Sequence, residues 1–419
     1  MLHDMLTLNS YLKLVKPDVS VRFMSMIIGD KGIVILNGDG HKVHRRIANP
    51  LFNLRTLKPL VPIMLIALDE LFAVIDQIPP STTLAFHNLS SQLTLNVIGR
   101  TTMDHDFDAL GPRGSRMARA YRAVIRNMEI TFGLAMRIQF PNTLGRIPTA
   151  ARREHAAGYL VVEDMVKDLL RAAEKKPDGT TLIHELVRQN AGNVLDEHEL
   201  VCQVRSFLAA GLDTTAAALS ACVLLLAQHL DVQRELFDEV DAVADLEDYE
   251  VLRKLPRLNS VIYEALRLYT PVHMSLRETA AEVVVPTTAL GPVTLPKGIR
   301  VEIPTRAIHS DPAIWGDDAL TWNPRRWDSI DLVHGTADVS AHRILNGRRQ
   351  IGPYDFMPFQ VGPRACIGRQ FALMELRLFV SSIVKCYALA TDVPVDGLDL
   401  VCSMSMRVTN AWVRMERRG

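Results

Sequence analysis

Aromatic residues are scarce in this 419-residue chain, at 6% of its length. Positive charge is not in surplus either, since 47 Lys and Arg face 47 Asp and Glu. The balance argues against non-specific nucleic-acid binding, which needs a cationic excess to neutralise phosphates, and leaves a local basic patch open. The five cysteines (Cys202, Cys222, Cys366, Cys386 and Cys402) are odd in number, far apart and never spaced C-x-x-C. That pattern argues against a disulfide framework or a zinc ribbon and for a reducing compartment. No apolar run reaches the roughly 18 to 20 residues that span a bilayer; the longest, Ala216 to Ala227, lies between Asp213 and Gln228. Asp4, Asn9, Lys13 and Lys16 interrupt the N-terminal apolar residues, so neither a signal peptide nor an anchor is expected there. Repeats, low-complexity tracts and clear linkers are also missing. What is abundant is apolar: 48% of the residues are hydrophobic, enough for a large core and too much for a disordered chain. The length allows two to three domains or one large fold.

Helical periodicity dominates the first two thirds of the chain. Val162, Met165, Val166, Leu169 and Leu170 make a core-facing stripe over 159–172, and Lys175, Lys176, Pro177 and Gly179 end it. Further helices are predicted over 57–77, 88–100, 115–131, 182–190, 230–244 and 257–269. Asp196 and Glu199 have the spacing of a capping box, and apolar residues continue from there to about Leu230, which predicts a helix about 45 Å long. From Arg277 onward the pattern turns to short strands, at 282–285 and 299–302, separated by Pro286, Gly291, Pro296 and Gly298. A last helix is predicted from Gly368 to Cys386 and a last strand over 411–415. The fold class is mainly α with small β-sheets.

Chemistry concentrates in Phe359-Gln-Val-Gly-Pro-Arg-Ala-Cys-Ile-Gly368, a Gly/Pro-rich loop that sets Cys366 just before a helix. A helix N-terminus favours negative charge and lowers a thiol pKa, and Arg364 adds positive charge nearby. Gly362 and Gly368, without Cβ, would let the backbone approach a bulky planar group. Read without its flanks, Cys366 could equally be a small buried residue. The loop resembles the cysteine motif of the cytochrome P450 superfamily, Phe-x-x-Gly-x-Arg-x-Cys-x-Gly, at every fixed position. The resemblance implies haem b (iron protoporphyrin IX) as cofactor and O2 as co-substrate. It also implies Cys366 as the proximal iron ligand, with Phe359, Arg364 and Gly368 beside the haem. A thiolate there pushes electron density onto iron and favours O–O cleavage.

Four further segments carry the resemblance, and they recur in the family's order along the chain. Glu264 and Arg267, at i,i+3 on an apolar helix, resemble the family's Glu-x-x-Arg pair, and Trp322-Asn-Pro-Arg-Arg-Trp327 is similar to the segment whose arginine, here Arg326, completes the network. Arg325 stands where the family often has Glu. Ala210-Gly-Leu-Asp-Thr-Thr215 is similar to the family's acid–alcohol motif. By that resemblance Thr214 hydrogen-bonds the distal oxygen and Asp213 helps deliver protons. Gly211 and the Thr214 hydroxyl predict a local widening of the helix; a small-residue packing contact is the plain alternative. His41 and Arg45 resemble the family's (Trp/His)-x-x-x-Arg pair on a propionate, and Arg277 and Arg364 are placed like other propionate contacts; an exposed basic cluster is the alternative for 41–46. Substrate contacts are expected from Phe207, Ala210 and Thr214, from Val272 to Leu276 including Met274, and from Ser403 to Met406 including Met404. Most of these are apolar or small, so a hydrophobic small molecule is implied.

Taken together the resemblance implies one P450-type haem fold over 1–419 and a monooxygenase that inserts one atom of O2. The arginine-bearing cysteine loop and Leu295-Pro-Lys-Gly298 look like the eukaryotic microsomal branch. An NADPH-dependent flavoprotein reductase is then the expected partner, steered by Arg364, Arg369 or neighbouring cations. The cytosolic face of the endoplasmic reticulum is the expected location by resemblance, whereas the chain alone reads as soluble or peripheral. Alternatives are a haem-thiolate isomerase, dehydratase or peroxygenase, against which Asp213-Thr214 argues, and a truncated, non-catalytic haem-binding remnant. The remnant reading, or an incomplete gene model, follows from the forty residues before His41, which are few for the family. Missing strands there are expected to leave a sheet edge exposed.

Overall fold

Asp196 starts the central helix as its sequence predicts. Its carboxylate accepts the Glu199 backbone N–H at 2.8 Å, while the Glu199 carboxylate accepts the Asp196 N–H at 3.1 Å. The computed structural model describes residues 2–419 except 9–12, 112–117, 122–123, 125–131, 145–146, 148, 288–290, 333–343, 346–347 and 403–404. Among the described residues the helices longer than ten residues are α1 (Asp18–Ile28), α2 (Gly38–Ala48), α3 (Val61–Ile75), α4 (Phe86–Met103), α5 (Ala150–Glu174), α6 (Glu197–Gln228), α7 (Leu230–Asp241), α8 (Pro256–Leu268) and α9 (Arg369–Cys386). The helix predicted over 115–131 falls largely outside them.

Helix α6 is the axis of the molecule. From Leu200 to Ala227 it is buried on almost every side, against α4, α9, α5, α1 and α8. Among the described residues it is the one helix long and apolar enough to cross a membrane, yet 83% of its most apolar window is buried inside the chain, as befits a core helix. Local chemistry sets the other helix ends. Thr149 accepts the Arg152 N–H at 3.2 Å, so α5 begins well before the predicted stripe. Pro59 and Pro62 lack N–H donors and split the predicted 57–77 helix into short turns before α3.

The strands are small and mostly antiparallel. Ser275–Thr279 lies between Leu14–Val15 and Arg300–Ile303, so the N-terminal segment supplies a two-residue edge strand of this sheet. Val283–Thr287 pairs with Gly291–Leu295 as a hairpin, and Tyr387–Ala390, Trp412–Arg417 and Leu84–Ala85 form a second three-stranded sheet. Ile330–Leu332 runs parallel to Arg348–Ile351, next to the start of the cysteine loop.

Candidate active site

The loop from Phe359 to Gly368 closes on itself before α9 begins. The Cys366 N–H donates to the Phe359 carbonyl at 2.7 Å, and the backbone is left-handed at Gln360 (φ 57°) and Gly362 (φ 72°). Gly362 does not make room for a planar group, as its sequence context suggests. A Cβ there would run into the Leu6 carbonyl, so this glycine admits the N-terminal turn Asp4–Leu8. The expected lowering of the thiol pKa is not found either. Burial pushes the Cys366 thiol up, outweighing the Gly368 N–H and the Arg45 and Arg369 charges that pull it down. Helix-end electrostatics alone do not make this cysteine a thiolate; a coordinated cation would deprotonate it outright.

Cys366 opens onto a cavity of about 280 Å³ between α6 and the loop. That volume is close to the roughly 300 Å³ at which small-molecule sites begin. Of the residues singled out from sequence, His41, Arg45, Phe207, Ala210, Thr214, Val272, Phe359, Arg364, Cys366 and Gly368 line it together. Phe207 meets Phe52 edge to face at 5.2 Å, making one apolar wall. Helix α6 stays regular across Ala210–Thr215, so the expected widening is absent. The Thr214 hydroxyl donates to the Ala210 carbonyl at 2.7 Å without breaking the ladder. Three of the expected site residues do not line the cavity. Asp213 is buried and does not line the cavity, to which α6 presents Phe207, Ala210, Gly211, Thr214, Thr215 and Ala218. Met274 is exposed outside the cavity, since Pro271 and Val272 already form its wall there and the chain then leaves as a strand. Arg277 is buried behind the lining, its guanidinium donating to Ser275 Oγ at 2.7 Å and to the Leu276 carbonyl at 2.8 Å. Met404 and Ser403 lie outside the described residues.

Burial pushes the Asp213 carboxyl up, against a smaller pull down from Arg407, and one of its oxygens has no hydrogen-bond partner. At the opposite end of the cavity sit Lys16, His41, Arg45 and Arg364, while no Asp or Glu lines it among the described residues. Asn37 Oδ1 accepts both the Lys16 backbone N–H at 2.9 Å and Arg364 Nη2 at 3.0 Å, and Arg45 Nη1 donates to the Ala365 carbonyl at 2.6 Å. Burial, then the Arg364, Arg45 and Lys16 charges, hold His41 down to about 3. Burial and Arg364 bring Arg277 to about 10, and burial with Arg277 and Arg364 pulls Lys16 well below its usual range.

A second polar cluster braces the loop from below. Glu264 and Arg267 are fully buried, and the Glu264 carboxylate accepts from Arg267 Nε and Nη2 at 2.9 and 2.8 Å, Arg326 Nε at 3.2 Å, Asn323 N–H at 3.1 Å and Trp327 Nε1 at 3.0 Å. Arg267 Nη1 donates to the His309 and Ala319 carbonyls, both at 2.6 Å. His309 passes the constraint on: its Nε2 accepts the Met357 N–H at 2.9 Å, two residues before Phe359.

Comparison with known proteins agrees with this geometry. Residues 14–409 match the family model for cytochrome P450. The chain belongs to the cytochrome P450 family. It is 28% identical to cytochrome P450 monooxygenase 128 of Postia placenta over 91% of this chain and 75% of that protein. It is 28% identical to cytochrome P450 monooxygenase sphH of Aspergillus fumigatus over 94% and 73%, and 27% identical to cytochrome P450 monooxygenase FUM15 of Gibberella moniliformis over 91% and 72%. This P450 is therefore an oxygen-incorporating oxidoreductase of the haem-thiolate type.

The residues present fit a haem. The half-buried positive charges of Lys16, Arg45 and Arg364, close enough to repel one another, call for an anionic ligand, apolar walls suit a macrocycle, and Cys366 is the one thiol lining the cavity among the described residues. Two residues escaped the sequence reading. Lys16 belongs to no motif, and only the fold brings it beside Arg364. His309 lacks a motif, yet it ties α8 to the cysteine loop in this P450.

His309 also makes a pH prediction. Fully buried, with Nε2 accepting and Nδ1 3.1 Å from the Arg267 carbonyl, it is held to about 3 by burial. The unfolded chain, with a histidine near 6.5, binds a proton the folded chain refuses between those values, so stability falls as pH drops below 6.5. The expected loss is about 1.4 kcal/mol at pH 5.5 for this one group. Thermal midpoints between pH 7.5 and 5 check it. His309→Gln should be less stable at pH 7.5 and show a shallower acid slope; an unchanged slope contradicts the prediction.

Proposed function

We propose that this P450 inserts one atom of O2 into a hydrophobic small molecule, drawing electrons from an NADPH-dependent flavoprotein reductase. The observation that carries the reading is the cavity itself: one thiol, a cationic end without a carboxylate, and an apolar distal wall ending in Thr214. Cys366 holds the iron of haem b, and Lys16, His41, Arg45 and Arg364, with Arg277 behind them, hold its propionates. The bound haem supplies O2 activation.

The chain's own groups do the rest. Because Thr214 donates its hydroxyl proton to the Ala210 carbonyl, the lone pairs of its oxygen are left to accept a hydrogen bond on the cavity side. Asp213, pushed up by burial, keeps a proton at pH values where an exposed aspartate has lost it, which suits a donor feeding that path. Phe207, Ala210 and Val272 exclude water and hold an apolar substrate over the reacting centre. Arg364 is turned inward to Leu36 and Asn37, so of the two cations expected to steer the reductase Arg369, which is exposed, is the docking charge. Placement at the cytosolic face of the endoplasmic reticulum goes with this partner and with the microsomal look of Leu295-Pro-Lys-Gly298.

Thr214→Ala tests the reading. With NADPH, reductase and an apolar substrate, product per NADPH is expected to fall by roughly 10²-fold, the lower range for losing a proton-transfer group, while NADPH consumption continues. Full coupling in Thr214→Ala removes the relay role. Product formed equally well from hydrogen peroxide without reductase would instead assign the chain to the peroxygenases.

A further inference from the structure

Away from the haem cavity, α6 carries His198 and Cys202 four residues apart, on one helix face. Facing them, the chain leaves α1 through Gly29 (φ 82°) into Asp30. His198 Nε2 stands 2.6 Å from Asp30 Oδ1 and 3.8 Å from Cys202 Sγ, and the three potential ligand atoms all lie within 4.8 Å of one another. The approach is close because residue 29 is glycine: a Cβ there would occupy the position of Cys202 Sγ. The thiol is buried, the Lys31 N–H faces its sulfur, and the His198 and Asp30 side chains are exposed, which leaves a fourth direction open to water. Cys202 precedes Thr214 by twelve residues, about 18 Å along the helix, and none of the three side chains lines the haem cavity.

We propose that Asp30, His198 and Cys202 form a site for a zinc-class divalent cation, with water as fourth ligand. One sulfur, one imidazole nitrogen and one carboxylate oxygen make a donor set suited to tetrahedral zinc, and the i,i+4 pair supplies two of them from a rigid element. On binding, His198 keeps its ring proton on Nδ1 and ligates through Nε2, the Cys202 thiol proton passes to solvent, and Zn–N, Zn–O and Zn–S bonds form without any change of oxidation state. Bond lengths of about 2.0–2.1 Å to nitrogen and oxygen put tetrahedral ligands roughly 3.3 Å apart. The Asp30–His198 hydrogen bond therefore opens by less than about 1 Å, within reach of two exposed side chains. The bound ion would pin the start of the segment 29–37 to α6. That segment carries Ile33 and Val34 of the cavity wall and Asn37, which holds Arg364.

The test uses the haem-loaded chain dialysed to equilibrium against Zn²⁺, with zinc counted per chain. One zinc per chain is expected, bound at least tenfold more weakly in His198→Ala and in Cys202→Ser. X-ray absorption at the zinc edge should show one sulfur at about 2.3 Å, lost in Cys202→Ser. His198 is exposed, so its substitution leaves the fold intact, and the haem content of both variants checks this. Zinc binding unaffected by His198→Ala, or a zinc without a sulfur neighbour, overturns the site. Neither readout depends on turnover, so the outcome is separate from that of the proposed reaction.

Discussion

Cys366→Ala, reduced and exposed to carbon monoxide, is expected to lack the red-shifted Soret band that the wild-type chain shows, and its reductase-driven turnover should fall to background. The loss should exceed the roughly 10–100-fold that accompanies removal of partners merely supporting a metal ligand. No second thiol can substitute, because Cys366 is the only cysteine lining the cavity among the described residues. The loop itself should survive. The N–H of residue 366 still donates to the Phe359 carbonyl, and Gly362 still seats the Leu6 carbonyl. A thermal midpoint of the haem-free protein close to wild type would separate loss of the ligand from loss of the fold. Persistence of the red-shifted band in Cys366→Ala would sink the assignment of this residue.

Glu264→Ala should be the most damaging change outside the cavity. It removes the acceptor of five hydrogen bonds and leaves the guanidinium of Arg267, fully buried, facing an uncompensated gap. Breaking a buried charge pair by deleting one partner costs about 3–5 kcal/mol, a large share of the roughly 5–15 kcal/mol by which folded chains are stable. Little haem-loaded protein should accumulate, and urea midpoints of what does should fall accordingly. Glu264→Gln, which keeps the shape and one acceptor, should be milder. Arg325→Ala makes the contrast: Arg325 sits where the family often has Glu and pairs on the surface with Asp231 at 2.9 Å and with Glu235, both on α7. Exposed, solvent-screened pairs of this kind contribute little to stability. Equal effects of the two alanine substitutions would remove the bracing role from Glu264.

Distance along the chain separates the features legible in the sequence from those that only the fold creates. The Asp196–Glu199 capping box, the α6 helix it starts and the small strands after Arg277 rest on interactions within a few residues, so spacing alone determined them. The cysteine loop and the Glu264–Arg267 pair were legible for the same reason, as residue types at fixed short intervals. Other outcomes belong to partners far away in sequence. Gly362 answers to Leu6, Lys16 meets Arg364 only because Asn37 holds both, and His309 acts through Met357. Asp213 and Thr214 are neighbours in the chain, yet the rotation of α6 against α4 and α9 puts one in the core and the other on the cavity. The Cys366 thiol shows the same division. Sequence placed it at a helix start, where local electrostatics favour the thiolate, but the desolvation that comes with its place in the fold pushes the thiol up against one backbone N–H and two nearby arginines.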